Sequence, residues 1–98
     1  MRKLTPKEEK IAVELLLIAN LDVDVKTLLV ADMDDGGMGS LVIGENYGSR
    51  KFGAKVAEYT FNDTDGVEVS VTLNVDSDHQ LYEIDIWKVD YSPTQRLR

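Results

Sequence analysis

The chain has 98 residues, of which 43% are hydrophobic and 30% are charged. This length and composition suit one globular domain and exclude collagen-like, low-complexity and wholly disordered chains. The chain has no cysteine and a single histidine. Disulfide frameworks, thiolate metal sites, cysteine nucleophiles and multi-histidine metal cages are therefore excluded, and a cytoplasmic location is expected.

The net charge of −7 is concentrated in the last third of the chain. Residues 62–90 contain eight acidic residues and one basic residue, Lys88. Such a surface repels nucleic-acid phosphates and anionic lipids and speeds encounter with basic partners. The longest apolar run, 15–19, is far shorter than the roughly 20 residues of a transmembrane helix. We therefore expect no nucleic-acid or membrane partner. The negative charge serves either to attract a basic protein partner or to keep the protein soluble.

The first element is a helix predicted over residues 6–19. Thr5 is suited to cap it, Pro6 suits its first position, and Glu8 completes a capping box with Thr5. Apolar residues occupy more than one side of this helix: Ile11, Val13, Leu15, Leu16, Leu17 and Ile18. A helix of this kind needs cover from more than one direction, either from a wrapping sheet or from a partner or second copy.

Five strands are predicted after the helix, at 26–33, 40–43, 54–62, 67–75 and 81–89. Short turns join them, and parallel pairing would need long crossovers, so the strands are expected to be antiparallel. The predicted fold class is α+β, a single domain over 1–98. Its N-terminal helix packs on one face of a roughly five-stranded antiparallel meander. Residues 90–98 are expected to form a loosely held tail.

Alternation of apolar and polar residues assigns the two faces of the sheet. The residues predicted to face the core include Ala57, Tyr59, Phe61, Tyr82, Ile84 and Ile86. The outward candidates for partner binding are Trp87, Glu83, Asp85, Glu68 and Glu58. Tryptophan is enriched at interface hot spots, and acidic neighbours suit a basic partner through cation–π contacts and charge steering. The alternative is that a β-bulge turns Trp87 into the core, or that Tyr91 and Pro93 cover it.

The strongest turn signal combines two aspartates with three glycines: Asp34, Asp35, Gly36, Gly37 and Gly39. No helix follows this segment, and the aspartates oppose an anion, so a phosphate-binding loop is not favoured. We expect a structural turn whose positive φ angles require glycine.

Other polar motifs give no predicted catalytic residue, metal ligand or cofactor. Residues 63–66 resemble part of a calcium loop, but Phe61 stands where the pattern needs an oxygen ligand and Thr72 where it needs an acid, which leaves at most a weak cation site. His79 is expected in a solvated turn. The outward carboxylates lie on an open face that does not exclude water, so catalytic tuning is not expected there.

Several stretches resemble a small, widespread bacterial family of uncharacterised one-domain proteins. The stretches are Leu4-Thr5-Pro6-Lys7-Glu8-Glu9, Met33-Asp34-Asp35-Gly36-Gly37-Met38-Gly39-Ser40-Leu41, Val71-Thr72-Leu73-Asn74-Val75-Asp76 and Tyr82-Glu83-Ile84-Asp85-Ile86-Trp87-Lys88-Val89-Asp90-Tyr91-Ser92-Pro93. The resemblance implies a bacterial protein with no assigned activity, cofactor or catalytic residue. By size and charge alone, the chain is also similar to immunity proteins that neutralise toxins.

The favoured functional hypothesis is a non-catalytic acidic protein-binding module. Its sharpest form is an immunity-like protein that neutralises a basic toxin or nuclease. The alternative is a homodimer with a structural or assembly role, formed through the helix or the sheet. A carboxylate- or metal-dependent enzyme is the third hypothesis, motivated only by the number of acids near glycine-rich turns.

Overall fold

Helix α1 spans Pro6–Ile18 in the computed structural model of the protein, which describes residues 1–97. The capping box is present: the Thr5 hydroxyl accepts a hydrogen bond from the Glu8 N–H, and the Glu8 carboxylate accepts one from the Thr5 N–H. After the helix, Asn20 has a positive φ, a conformation that ends many helices.

In the described part of the chain the sheet contains six antiparallel strands, one more than predicted. They are β1 (Arg2–Lys3), β2 (Leu29–Asp32), β3 (Leu41–Ile43), β4 (Phe52–Asn62), β5 (Glu68–Asp76) and β6 (Leu81–Lys88). Their spatial order is β1-β2-β3-β6-β5-β4. The additional strand is β1, which pairs with β2 at one edge of the sheet. Because α1 packs against β4 and β5, the α+β class with a helix on an antiparallel sheet is confirmed.

The prediction of a meander is wrong at one connection. Strands β3 and β4 follow each other in the chain but do not pair, because β3 pairs with β6 and β4 lies at the far edge. Residues 44–51 make this connection. Within them, the Arg50 guanidinium donates hydrogen bonds to the carbonyls of Ile43 and Leu81 and to the Asp76 carboxylate. One side chain thus ties the ends of β3, β6 and β5 together, which turn lengths alone do not predict.

The first predicted strand, 26–33, is shorter in the structure. A 3-10 helix occupies Val25–Thr27, and β2 begins only at Leu29. The Asp24 carboxylate accepts a hydrogen bond from the Lys26 N–H and caps this turn. The leucine and valine content predicts a strand here, but the hydrogen bond to the capping side chain stabilises the 3-10 helix instead.

The core lies between α1 and the inner face of the sheet. Its fully buried side chains include Leu15, Val30, Leu41, Val69, Val71, Ile84 and Ile86. Strand β5 alternates as predicted, with Val69, Val71 and Leu73 buried in the core. Residues between these buried positions point to the opposite side of the sheet.

Strand β6 begins with an irregularity at Tyr82, which is buried as predicted, with 7% of the residue exposed. A register shift next to Asn74 leaves Tyr82 without a paired residue on β5. The partly buried Leu81 packs against the main core cluster, and the buried Tyr82 ring stacks on Tyr47 beside that cluster, with centroids 4.7 Å apart. The bulge considered for Trp87 therefore lies at the opposite end of the strand.

The segment after β6 differs from the loose tail expected for 90–98. A 3-10 helix covers Gln95–Leu97, and its first two backbone N–H groups donate to the Asp63 carboxylate over 2.7 and 2.8 Å. Thr94, just before it, is buried. Arg98 lies outside the described residues. A sequence-based expectation missed these contacts because the acceptor lies more than 30 residues away along the chain.

Candidate functional site

The outer face of the sheet is the face that points away from α1. Its side chains include Val42, Glu58, Thr60, Glu68, Ser70, Thr72, Asn74, Glu83, Asp85 and Trp87, as the strand registers place them. Within residues 1–97, neither the helix nor another strand layer covers this face. An antiparallel sheet with one covered and one open face carries polar residues on the open one, which makes a large aromatic residue there informative.

Trp87 lies on this face at the end of β6, a strand with neighbours on both sides. It stands opposite Ser70 of β5, and its side chain is 44% exposed. The Tyr91 ring contacts it edge-on, with ring centroids 6.0 Å apart. Trp87 is therefore not a core residue, and the tail covers it only in part, through Tyr91.

Tyr91 has an unfavourable backbone conformation as well as an exposed ring. Its φ is 64°, which costs about 1–2 kcal/mol for a residue with a Cβ. Among residues 1–97, the other non-glycine residues with positive φ are Asn20, Asn46 and His79, which are residue types that tolerate it. With 68% of Tyr91 exposed, packing offsets little of this cost. Backbone strain of this kind is concentrated at binding and catalytic sites.

Two exposed carboxylates lie beside Trp87 on the outer face. Asp85 precedes it by two residues on β6, and Glu68 precedes Ser70, its opposite neighbour, by two residues on β5. Positions two apart on a strand share a face. These residues define the Trp87 patch: Trp87, Tyr91, Asp85 and Glu68. It combines exposed aromatic area with negative charge.

Asp85 also accepts a hydrogen bond from the Ser40 hydroxyl at 3.3 Å, and the other two predicted partner-binding carboxylates have partners as well. Glu83 accepts hydrogen bonds from the Tyr47 hydroxyl at 2.7 Å and from the Asn74 side-chain amide at 2.9 Å. The bond to Glu83, together with burial, raises the pKa of the Tyr47 hydroxyl. Glu58 forms an exposed ion pair with Lys55 at 3.0 Å, and such pairs contribute little to stability. Glu83 therefore supports the loop after β3, and Glu58 lies apart from the Trp87 patch.

The glycine-rich segment forms a turn in which one aspartate organises the backbone. The Asp35 carboxylate accepts hydrogen bonds from the Ser40 N–H at 2.9 Å and the Gly39 N–H at 3.4 Å. Burial opposes ionisation, yet these bonds hold the pKa of Asp35 below its ordinary value. Asp34 is exposed. Positive φ angles occur at Gly36, Gly37 and Gly39.

A buried ion cluster that the sequence analysis did not identify lies under the tail. The Lys88 side chain has no exposed surface, and its ammonium donates to carboxylate oxygens of Asp63 at 2.8 Å and Asp65 at 2.6 Å. It also donates to the Pro93 carbonyl at 3.2 Å. Burial opposes both charges, yet the ion pair and backbone N–H groups hold the pKa of Asp63 far below its usual range. The two carboxylates in turn raise the pKa of Lys88.

One part of this cluster was visible in the sequence. Lys88 continues the inward alternation of Ile84 and Ile86, so its position on the core side follows from the strand period. Its partners come from the 63–66 turn, which has the residues of a partial calcium loop. There the carboxylates bind an ammonium group of the chain itself. Within residues 1–97, no group of three or more histidine, aspartate or glutamate side chains is placed to hold a metal ion.

The turn between β5 and β6 uses its acidic residues in the same structural way. The buried Asp76 carboxylate accepts hydrogen bonds from the N–H groups of Asp78 and Gln80 and from the Arg50 guanidinium. The backbone bonds, with Arg50, lower the pKa of Asp76. His79 lies exposed in this turn, with a positive φ.

Together these features define a single-domain α+β protein with one open sheet face, on which an aromatic pair is flanked by carboxylates. A protein-family model, Domain of unknown function (DUF6984), matches residues 1–98, and the chain belongs to this family. No curated protein and no solved structure matches the chain. The family match thus confirms the predicted resemblance to an uncharacterised single-domain family. In the described part of the chain, no helix has both the length and the apolar character needed to cross a membrane.

Proposed function

We propose that this protein is a non-catalytic binding module that recognises a basic protein with the Trp87 patch. The observation that carries the proposal is the exposed Trp87–Tyr91 pair on an open sheet face. Large aromatic residues that are surrounded by polar side chains dominate the energetics of many interfaces. The strained backbone of Tyr91 adds support, because the fold gains little from that side chain on its own.

The apolar surface that the Trp87 and Tyr91 rings expose is large enough to support specific binding. Covering the exposed parts of both rings removes on the order of 200 Å² of apolar surface, which contributes about 5 kcal/mol before the costs of association. Asp85 and Glu68 supply charge at the rim of the contact, where it accelerates encounter with a positive partner more than it adds affinity. A basic surface also offers arginine and lysine side chains for cation–π contacts with both rings.

The sharper form of the proposal is an immunity-like role in the cytoplasm. A small acidic protein that covers the basic surface of a toxin or nuclease excludes that surface from its anionic target. The net charge of −7 and the exposed aromatic pair are the properties that such a role requires. This form predicts that the bound partner is a basic toxin or nuclease whose activity falls when the complex forms.

Affinity capture from a lysate of the source organism tests the proposal. The tagged protein is compared with Trp87→Ala and Asp85→Lys variants at low and high salt, with mass spectrometry as the readout. We expect a stoichiometric basic partner that the original chain retains at low salt, with recovery reduced at high salt and reduced by either substitution, most strongly by Trp87→Ala.

Two matched variants serve as controls. Phe52→Ala removes another exposed aromatic residue, located on β4 away from the patch, and Asp22→Lys reverses an exposed acid far from it. Both controls should capture the partner as the original chain does. A partner that is retained equally by Trp87→Ala and Asp85→Lys would show that the Trp87 patch is not the binding surface.

A second candidate function, a homodimer with a structural role, is favoured by the solvent side of α1. Val13, Leu17 and Ile18 are exposed there, and Leu17 is 69% exposed. Leu21 continues the stripe beyond the helix. Contiguous exposed apolar residues mark association sites.

Light scattering over a dilution series tests this candidate. A homodimer through α1 should dissociate on dilution, and Leu17→Lys should make it monomeric at every concentration. A monomer at high micromolar concentration would exclude it. The outer face plays no part in this assembly, so Trp87→Ala serves as the control.

A further inference from the structure

The two edges of the sheet differ strongly in length and exposure. One edge is β1, with two residues, and the other is β4, with eleven. A long edge strand presents unpaired backbone N–H and C=O groups to any extended chain that meets it. Edge strands are often protected by bulges and lysines, and β4 has both in its first half: register shifts between 52 and 57, and Lys55.

The second half of β4 lacks this protection. From Ala57 to Asn62 every residue pairs in regular register with β5, so the outer backbone edge there is regular as well. Six residues in a strand extend about 20 Å, which is enough for a short peptide. No strand or helix among residues 1–97 pairs with this edge.

A groove lies next to this regular half of β4, on the helix side of the sheet. It has a volume of about 380 Å³ and an apolar floor made by Ile11, Tyr59, Phe61 and Leu97. Tyr59 and Phe61 point there because they alternate with the exposed Glu58, Thr60 and Asn62. They are partly buried, unlike the core residue Ala57.

The rim of the groove carries positive charge on a chain whose net charge is −7. Among residues 1–97, Lys7, Lys10 and Arg96 line it together with one acidic residue, Glu14. The Arg96 guanidinium lies over the Phe61 ring, 5.5 Å from its centroid. Within residues 1–97, Lys10 and Arg96 form no ion pair closer than 4.0 Å. The charge of the rim is therefore opposite in sign to the charge of the Trp87 patch.

We propose that the second half of β4 and its adjacent groove bind an extended acidic peptide, which adds to the sheet as a seventh strand. Backbone hydrogen bonds to the edge would supply affinity, and the side chains on the helix side would supply specificity. The charge of the rim identifies the occupant as acidic, because Lys10 and Arg96 would gain carboxylate partners there. This site is separate from the Trp87 patch and of opposite charge, so it goes beyond the proposed function.

The strand period fixes the pattern that such a peptide needs. Alternate side chains of the added strand lie on the helix side, beside Tyr59, Phe61 and the cations. An apolar residue flanked by acids two positions away fits the floor and the rim. The remaining side chains lie beside Glu58, Thr60 and Asn62 and should be neutral and polar.

The test uses a fluorescein-labelled peptide of about seven residues. Threonine occupies every second position, and glutamate, valine and glutamate stand between them. A control peptide has lysine in place of glutamate. Fluorescence anisotropy measures binding, and amide hydrogen exchange measures protection of β4. We expect the acidic peptide to bind and to slow exchange in the second half of β4, and the lysine peptide to bind at least about tenfold more weakly.

Variants of the protein locate the contact. Lys10→Glu and Arg96→Glu change side chains at the rim and should each weaken binding of the acidic peptide severalfold. Lys3→Glu reverses an exposed charge on β1, at the opposite edge, and should leave binding unchanged. Trp87→Ala should also have no effect, which distinguishes this site from the Trp87 patch.

Three outcomes would overturn the proposal. The first is no binding of the acidic peptide, or equal binding of both peptides. The second is binding without any slowing of exchange in β4. The third is protection of β4 in the free protein that disappears on dilution, because the occupant of the edge is then a second copy of the chain.

Discussion

Asp63 is the residue whose removal tests the buried cluster most severely. Its carboxylate accepts four hydrogen bonds, from the Lys88 ammonium and from the backbone N–H groups of Thr64, Gln95 and Arg96. Asp63→Ala removes one of the two carboxylates that pair with the buried Lys88 ammonium. It also removes the acceptor for the backbone N–H groups of Gln95 and Arg96. Breaking a buried ion pair from one side costs about 3–5 kcal/mol, a large fraction of the 5–15 kcal/mol that stabilises a domain.

Urea unfolding measures this loss through the fluorescence of Trp87, the single tryptophan, which contacts Tyr91 in the tail. We expect the free energy of unfolding to fall by about 3–5 kcal/mol and Tm by more than about 12 °C. Asp65→Ala should cost less, because its carboxylate is partly exposed. Asp34→Ala, at an exposed turn position, is the control. An Asp63→Ala protein that unfolds at the same urea concentration as Asp34→Ala would refute the stabilising role of the cluster.

Three further predictions concern stability. The pKa of Asp63 is lowered on folding, so its contribution to the free energy of unfolding is complete above roughly pH 4 and is lost as the pH falls further. Urea midpoints measured down to about pH 2 should therefore fall more steeply for the original chain than for Asp63→Asn. Arg50→Lys loses the planar fork that joins three strand ends, and its unfolding free energy in urea should fall by about 1.5–3 kcal/mol. Gly53→Ala places a Cβ in steric clash with the Asp76 carbonyl oxygen, so calorimetry should show a loss of about 1–3 kcal/mol in the free energy of unfolding, whereas Gly48→Ala, which meets open space, should be nearly neutral.

The elements that the sequence predicts well are those governed by local chemistry. The helix start at Thr5 depends on neighbouring residues, and the faces of β5 depend on a two-residue period. Both are therefore present in any short window of sequence. The placement of Trp87 on the outer face follows from the same period along β6.

The features that the sequence analysis missed depend on residues that are distant along the chain. The pairing of β3 with β6 is accompanied by contacts from Arg50 to carbonyls and a carboxylate on three strands. The Asp63 carboxylate binds backbone N–H groups of the tail. The Glu83 carboxylate, predicted to bind a partner, instead accepts a hydrogen bond from the Tyr47 hydroxyl, 36 residues away. Tyr91 escaped notice as a site residue because a positive φ at tyrosine has no signature in the sequence.

If the Trp87 patch binds a basic protein, the rate constants of that complex depend on Asp85 and Trp87. Surface plasmon resonance with the captured partner is measured for the original chain and for Asp85→Lys, Trp87→Ala and Phe52→Ala. We predict that Asp85→Lys lowers the association rate constant at low salt, and that Trp87→Ala raises the dissociation rate constant at least about 30-fold. Rate constants for both variants equal to those of Phe52→Ala and the original chain would show that the Trp87 patch does not bind the partner.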